Sequence, residues 1–233
     1  MTAKTASQAF VDALAAVVQE EDLTDTVANL LDSCAEQTGA AAVGLLVKDG
    51  RGRLEVLSAT SHQVAELELY QLQHDAGPCV DAAREGTALS AYSDDDITER
   101  WDTVGIAIVA AGYHAVQAVP LRWHGLLIGA MNAFHTSQGS LDDESLRLTQ
   151  AFADIATVVI VHAAALTSSE LDERVQTALA GRTVIEQAKG VLAETTGADM
   201  ATAYQLLVQQ AQQRHASLTD AAIEILREAQ ERR

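Results

Sequence analysis

Apolar positions fall into two rhythms along this chain. Phe10, Ala13, Leu14, Val17 and Val18 recur at the three-and-four spacing of a helix face. Leu23, Val27, Leu30, Leu31 and Cys34 repeat that spacing before Gly39, which is placed as a C-terminal stop. The rhythm then shortens. Residues 41–47 and 53–60 are strand-like runs around a turn that holds Gly50 and Gly52, and residues 114–122 and 126–135 form a second such pair. Between the pairs lie a mixed stretch, a short helix over 77–86 whose entry is fixed by Pro78, and a helix over 99–112. Helices, a hairpin, a helical excursion and another hairpin predict an α+β domain: an antiparallel sheet flanked by helices rather than a βαβ repeat.

Proline is absent from Ser140 onward, and Ser140 with Asp143 resembles a capping box. Helical periodicity then runs from Leu141 to about Thr196. If unbroken, that is a helix on the order of 80 Å long at about 1.5 Å per residue. Leu171, Val175, Ala178, Arg182, Ile185, Lys189 and Leu192 follow heptad spacing, and the seam turns from apolar to basic at Arg182. On such a rod Leu166, Leu171 and Val175 would face solvent, which predicts a homodimer through the long helix and a face of the sheet domain. Two shorter helices follow over 200–215 and 217–230, the first capped by Asp199. With 182–196 they make an all-α three-helix unit, small enough to need support from the long helix or a second copy. The expected organisation is an N-terminal helix (1–22), a sheet domain (23–163), a coiled-coil-like linker helix (164–180) and the three-helix domain (181–233).

Charge sharpens that division. The net charge is −18, with nine basic against 26 acidic residues in 1–180 and six against seven in 181–233. A phosphate backbone is repelled by the first part, so any nucleic-acid site is confined to the C-terminal end. Cys34 and Cys79 are lone thiols without CxxC spacing, which points to a reducing compartment and against a disulfide framework. The first ten residues lack the apolar stretch of a signal peptide, and no apolar run approaches the roughly 20 residues that span a bilayer. The expected location is therefore cytoplasmic, away from any membrane. Seven histidines are scattered without metal-ligand spacing, and no GxSxG, P-loop or paired-carboxylate motif occurs, so no enzyme activity, metal or cofactor is expected.

Arg182 and Lys189, seven apart, project from one helix face with Glu186 between them. The pattern fits either an intrahelical salt cluster or a handhold for phosphate. Tyr204 fits core packing or base stacking. Gly190 inside a helix costs about 1 kcal/mol relative to Ala, which calls for close approach by another helix or by a ligand. Arg214 and His215 close a helix where positive charge suits the dipole.

Residues 181–229 resemble an ANTAR domain, the RNA-binding antiterminator module of bacterial regulators. The resemblance is carried by Arg182, Ile185, Ala188, Lys189 and Gly190, then Ala203, Tyr204 and Leu207, then Leu218 and Ala222. His215 departs from the Asn common at that position, and Ser217 from a frequent basic residue. Residues 23–163 resemble a GAF domain of the kind fused to ANTAR in actinobacterial regulators, through Gln71, Gly77–Ala82, Arg100–Trp101, Val119–Leu121 and Ile128–Asn132. The resemblance implies a sensor for an unidentified small molecule, with Cys79, Trp101 and Asn132 on the pocket. It also implies a tail that stabilises antiterminator stem-loops in nascent mRNA through Arg182, Lys189, Gly190, Tyr204, Arg214 and His215. The alternatives are a sensor whose helical tail recruits a protein partner, and a DNA-binding regulator, which the lack of a strongly basic recognition helix disfavours.

Overall fold

Two hairpins build the sheet. In the computed structural model, which describes residues 5–19, 21–139, 143–161 and 168–231 (side chains of the last segment from residue 175), β1 (Ala42–Lys48) pairs with β2 (Leu54–Ala59) and β4 (Ala115–Trp123) with β5 (Leu126–His135). β5 also pairs with β1, and a short β3 (Leu89–Ala91) lies beside β4. The order is β2-β1-β5-β4-β3 with every pair antiparallel. Side chains alternate across the sheet. Val43, Leu45, Val47, Val119, Leu121, Met131 and Ala133 form a core with α1 (Ala6–Val18), α2 (Leu23–Thr38) and α6 (Asp143–Val161), including Leu31 and Phe152. Each large apolar side chain buried there is worth about 1.5–3 kcal/mol. The opposite face is covered by α3 (His62–His74), α4 (Pro78–Glu85) and α5 (Asp94–Ala110).

Local chemistry sets the helix ends. Thr5 and Gln8 form a reciprocal capping box on α1, Asp22 caps α2, and Gly39 ends α2 in the left-handed region at φ 69°. α1 packs on the sheet domain through Ala9 and Ala13. The N-terminal helix expected as a separate segment is thus part of the first domain's core.

The C-terminal unit comprises α7 (Ser168–Thr196), α8 (Met200–Arg214, capped by Asp199) and α9 (Leu218–Glu231). Its own core joins Ile185, Ala188 and Leu192 to Ala203, Leu207, Ala211, Ala221, Ala222 and Ile225. The expected solvated rod needs correction. Val175 and Ala178 are buried in the sheet domain's core, because α7 packs back on α2, α6 and the edge strand β2. The seam read as intermolecular is covered by the same chain, at least from Val175 on. Leu166 and the side chain of Leu171 lie outside the described residues, as does Ser140. α7 runs through Gly181 without a break. A Cβ there would sit 3.3 Å from Thr24 Oγ1 and 3.4 Å from Thr219 Oγ1, so the glycine serves close approach of α7 to α2 and α9.

Candidate functional site

Seven-residue spacing places Arg182 and Lys189 on one face of α7, and that face turns inward. They line a cleft with Tyr204 of α8 on one side and Thr24, Ser58, Ser61 and His62 of the sheet domain on the other. Lys189 is only 2% exposed. Its ammonium donates to both carboxylate oxygens of Glu186, at 3.0 and 2.9 Å, and to Nδ1 of His62 at 3.3 Å. It also stands 5.5 Å from the centre of the Tyr204 ring. Arg182 is half-buried. Desolvation lowers its guanidinium pKa, while the charges of Glu186 and Glu55 act the other way. Burial, followed by the charges of Asp32, Asp25 and Glu186, pushes the Tyr204 hydroxyl up to about 12. Both sequence readings of the basic pair meet here: Lys189 belongs to a salt cluster, and the cluster is the floor of a cleft.

A second tie lies nearby. Both oxygens of Asp25, on α2, accept from the backbone N–H of Leu218 at 3.1 Å, so a carboxylate of the first domain satisfies the first turn of α9. Burial, opposed by that hydrogen bond and helped by Asp22, Asp220 and Glu21, raises Asp25 to about 6.

The other tail residues do not join the cleft. Gly190 is exposed and a Cβ on it would meet nothing within 4 Å. No helix of the described residues covers it, so packing inside the chain does not explain the glycine. Arg214 is exposed and pairs with Glu228 of α9 at 3.3 Å. His215 ends α8 in the left-handed region at φ 51°. Asn is the usual non-glycine residue for that conformation, and His is also enriched there, so this departure from the ANTAR pattern follows a backbone requirement.

On the α3–α4 face of the sheet, Cys79 and Asn132 are fully buried beside Glu68 and Gln71. Glu68 Oε2 accepts from Gln71 Nε2 at 2.9 Å, and Gln71 Oε1 accepts from the Cys79 backbone N–H at 3.0 Å. Burial lifts the Glu68 carboxyl to about 8, outweighing the downward pull of Asn132 and Cys79, which lie against it. Oε1 of Glu68 and both amide atoms of Asn132 have no closed hydrogen bond. Burial and the Glu68 carboxyl raise the Cys79 thiol well above its ordinary range, which removes the thiolate a redox role needs. Trp101 stands apart in a neighbouring cluster with Ile97 and Phe134, its N–H donated to Asp81 Oδ2 at 2.8 Å. Sequence reasoning missed Glu68, His62 and Asp25. Glu68 carried one signal, a carboxylate at a position where helical periodicity wants an apolar residue.

Among the described residues no group of three or more His, Cys, Asp or Glu is poised to hold a metal, and no helix is long and apolar enough to cross a membrane. No curated protein matches the chain. Solved structures do. The GAF domain of an Acinetobacter phosphoenolpyruvate-protein phosphotransferase is 11% identical with a TM-score of 0.51, covering 70% of this chain and 96% of that one. The phycoerythrobilin-bound GAF domain of a cyanobacterial phytochrome is 13% identical with a TM-score of 0.52, covering 68% and 95%. At such identities the likeness is one of fold. Family models locate a GAF domain over residues 20–161 and an ANTAR domain over 173–226. GAF domains sense small molecules and ANTAR domains are RNA-binding antitermination modules. The chain belongs to the GAF family and carries an ANTAR domain behind its sensor, the composition of a GAF–ANTAR regulator.

Proposed function

We propose that this protein is a cytoplasmic, signal-responsive regulator that binds stem-loops in nascent mRNA and promotes transcription antitermination. The observation that carries the reading is the convergence of Arg182, Lys189 and Tyr204 on one face of a three-helix unit that matches the ANTAR model. The two cations would hold phosphates and Tyr204 would stack on an unpaired loop base, with Gly190 leaving room for the backbone and Arg214 and His215 extending the contact. No bond is made or broken. Binding one RNA fold in preference to the terminator hairpin shifts the equilibrium between them. The input is a small molecule received on the α3–α4 face of the sensor, near Cys79 and Asn132, with Trp101 in the neighbouring cluster.

A homodimer fits this role, because antiterminator elements come as paired stem-loops. Its support lies on α1. Val11, Leu14 and Val18 are 65%, 42% and 81% exposed on the face opposite the buried Ala9, Ala13 and Ala16. Residues 5–19 carry a single charged residue, Asp12, so two acidic copies meet there with little repulsion. Analytical ultracentrifugation showing a monomer at tens of micromolar would remove this element.

The second reading, recruitment of a protein partner by the tail, draws on the tail's charge pairing: Arg214 pairs with Glu228, and Arg227 with Glu224 and Glu231. A gel shift with stem-loop RNA, duplex DNA and no nucleic acid separates the readings. The RNA reading expects a shift with stem-loops that weakens steeply with salt, and no comparable shift with duplex DNA.

A further inference from the structure

Lys189, one of the two cations proposed to hold phosphate, is the least accessible cation among the described residues of the tail. Lys189 is covered by the end of β2, by Ser61 and His62 at the entry of α3, and by α2. One of its hydrogen-bond partners, His62, belongs to the sensor. The same sensor face grips the tail a second time, where Asp25 satisfies the Leu218 N–H at the start of α9. It meets the tail a third time at Gly181, against Thr24. Carboxylates act on the cleft from both domains: Glu186 on α7 lines it, Glu55 on β2 and Asp25 and Asp32 on α2 lie close enough to bias Arg182 or Tyr204, and Glu66 on α3 has its Oε1 3.4 Å from His62 Nε2.

We infer that the sensor latches the RNA-binding face shut, with His62 and Asp25 as its two fastenings, and that RNA binding requires this latch to open. The inference rests on the RNA-binding reading of the tail. An RNA phosphate reaches Lys189 only by displacing Glu186, while His62 and the sensor face block its approach and the nearby carboxylates repel it. α3 supplies the connection to the sensor's input. One helix carries His62 at its first turn and Glu68 and Gln71 two to three turns on, against Asn132 and Cys79. A ligand that moves α3 on the sheet moves a latch residue with it, and it shifts the equilibrium by its differential affinity for the two states.

Two full-length variants test the latch from opposite sides. Asp25→Ala/His62→Ala opens it without touching the tail. Thr24→Cys/Gly181→Cys locks it with a disulfide, since a Cβ at 181 lies 3.3 Å from the Thr24 hydroxyl oxygen. Lysine acetylation by acetic anhydride, read by mass spectrometry as Lys189 relative to the half-buried Lys48, reports the cleft without any RNA. Lys189 should be protected in the parent and modified at least about tenfold faster in the opened variant. Stem-loop RNA should bind the opened variant about 5–150-fold more tightly than the parent, the range of ordinary coupling energies. The oxidised lock should bind RNA weakly and recover on reduction, with circular dichroism confirming that all forms are folded. Equal labelling of Lys189 and Lys48 in the parent, or equal RNA binding by the oxidised and reduced lock, overturns the latch. Protected Lys189 with no RNA binding by any form, opened variant included, overturns the RNA reading instead.

Discussion

Glu68 and Lys189 are both ionisable side chains removed from water, and the protein treats them in opposite ways. On the sensor's sheet face, Glu68 has a neutral partner in Gln71 and no closed hydrogen bond on Oε1, and burial lifts its carboxyl to about 8. In the cleft, Lys189 is answered by a carboxylate at 2.9 Å and an imidazole nitrogen at 3.3 Å. A buried charge is tolerated when it is neutralised or paired. The first solution leaves unsatisfied polar atoms that a ligand can meet. The second leaves a cation whose partners a competing anion must displace. The contrast matches the input and output roles proposed for the two places.

The largest effect that would break the comparison concerns Glu68. Its folded-state pKa of about 8 lies above its ordinary 4.5, so the unfolded chain ionises first. Between those values each pH unit favours the unfolded state, by up to about 1.4 kcal/mol. Glu68→Gln lacks this penalty. Urea melts across that window should show the variant gaining on the parent as pH rises, with the gap constant above about pH 8. A gap that stays flat from pH 5 upward would mean that Glu68 is already charged, hence partnered, and the contrast with Lys189 would vanish.

A smaller effect tests the pairing on the cleft side. Asp25→Ala removes the carboxylate that satisfies Leu218 and should cost about 0.5–2 kcal/mol, as loss of a helix cap does. Asp25→Asn keeps an acceptor oxygen, drops the charge that Asp22, Asp220 and Glu21 oppose, and should recover most of the loss in thermal melts. Equal losses in the two variants would show that the charge rather than the hydrogen bond holds α9.

Gly190→Ala is the smallest and the most discriminating. Open space surrounds the position, so Ala should stabilise the fold by up to about 1 kcal/mol through helix propensity alone. If the tail's backbone is approached there by RNA, the same change should weaken stem-loop binding while Tm rises. A rise in Tm with unchanged RNA affinity would take Gly190 out of the interface.

Periodicity carried most of the fold. The four long strands and helices α1, α2, α4, α8 and α9 follow from where apolar residues recur and where Gly39, Pro78 and Asp199 punctuate them. α3 was not legible, because its buried face includes Glu68 and Gln71, which read as polar interruptions. β3 has only three residues. α5 begins at Asp94, in an acidic first turn capped by Ser93, and its φ and ψ at Asp102 leave the helical region, so the pattern starts late. The rod was misread for a more general reason. Heptad spacing shows that a face of α7 is apolar; it does not show whether a second copy or the same chain covers it. In the site, the pairing of Arg182 with Lys189 was legible from spacing, and Tyr204 joined them only through the resemblance to ANTAR domains. The site's closure by His62 and Asp25 was not legible, since those contacts join residues 127 and 193 positions apart.

The central claim, that Arg182 and Lys189 are the phosphate handhold of an RNA-binding tail, is tested most directly by the salt dependence of stem-loop binding. The comparison is between the opened variant Asp25→Ala/His62→Ala and the same chain carrying Arg182→Ala/Lys189→Ala. The account predicts that the added substitutions cost about 1–3 kcal/mol and flatten the slope of log K against log salt by about one to two. Equal affinity and equal slope in the two chains would show that the basic pair is a structural salt cluster and that RNA, if bound, is held elsewhere.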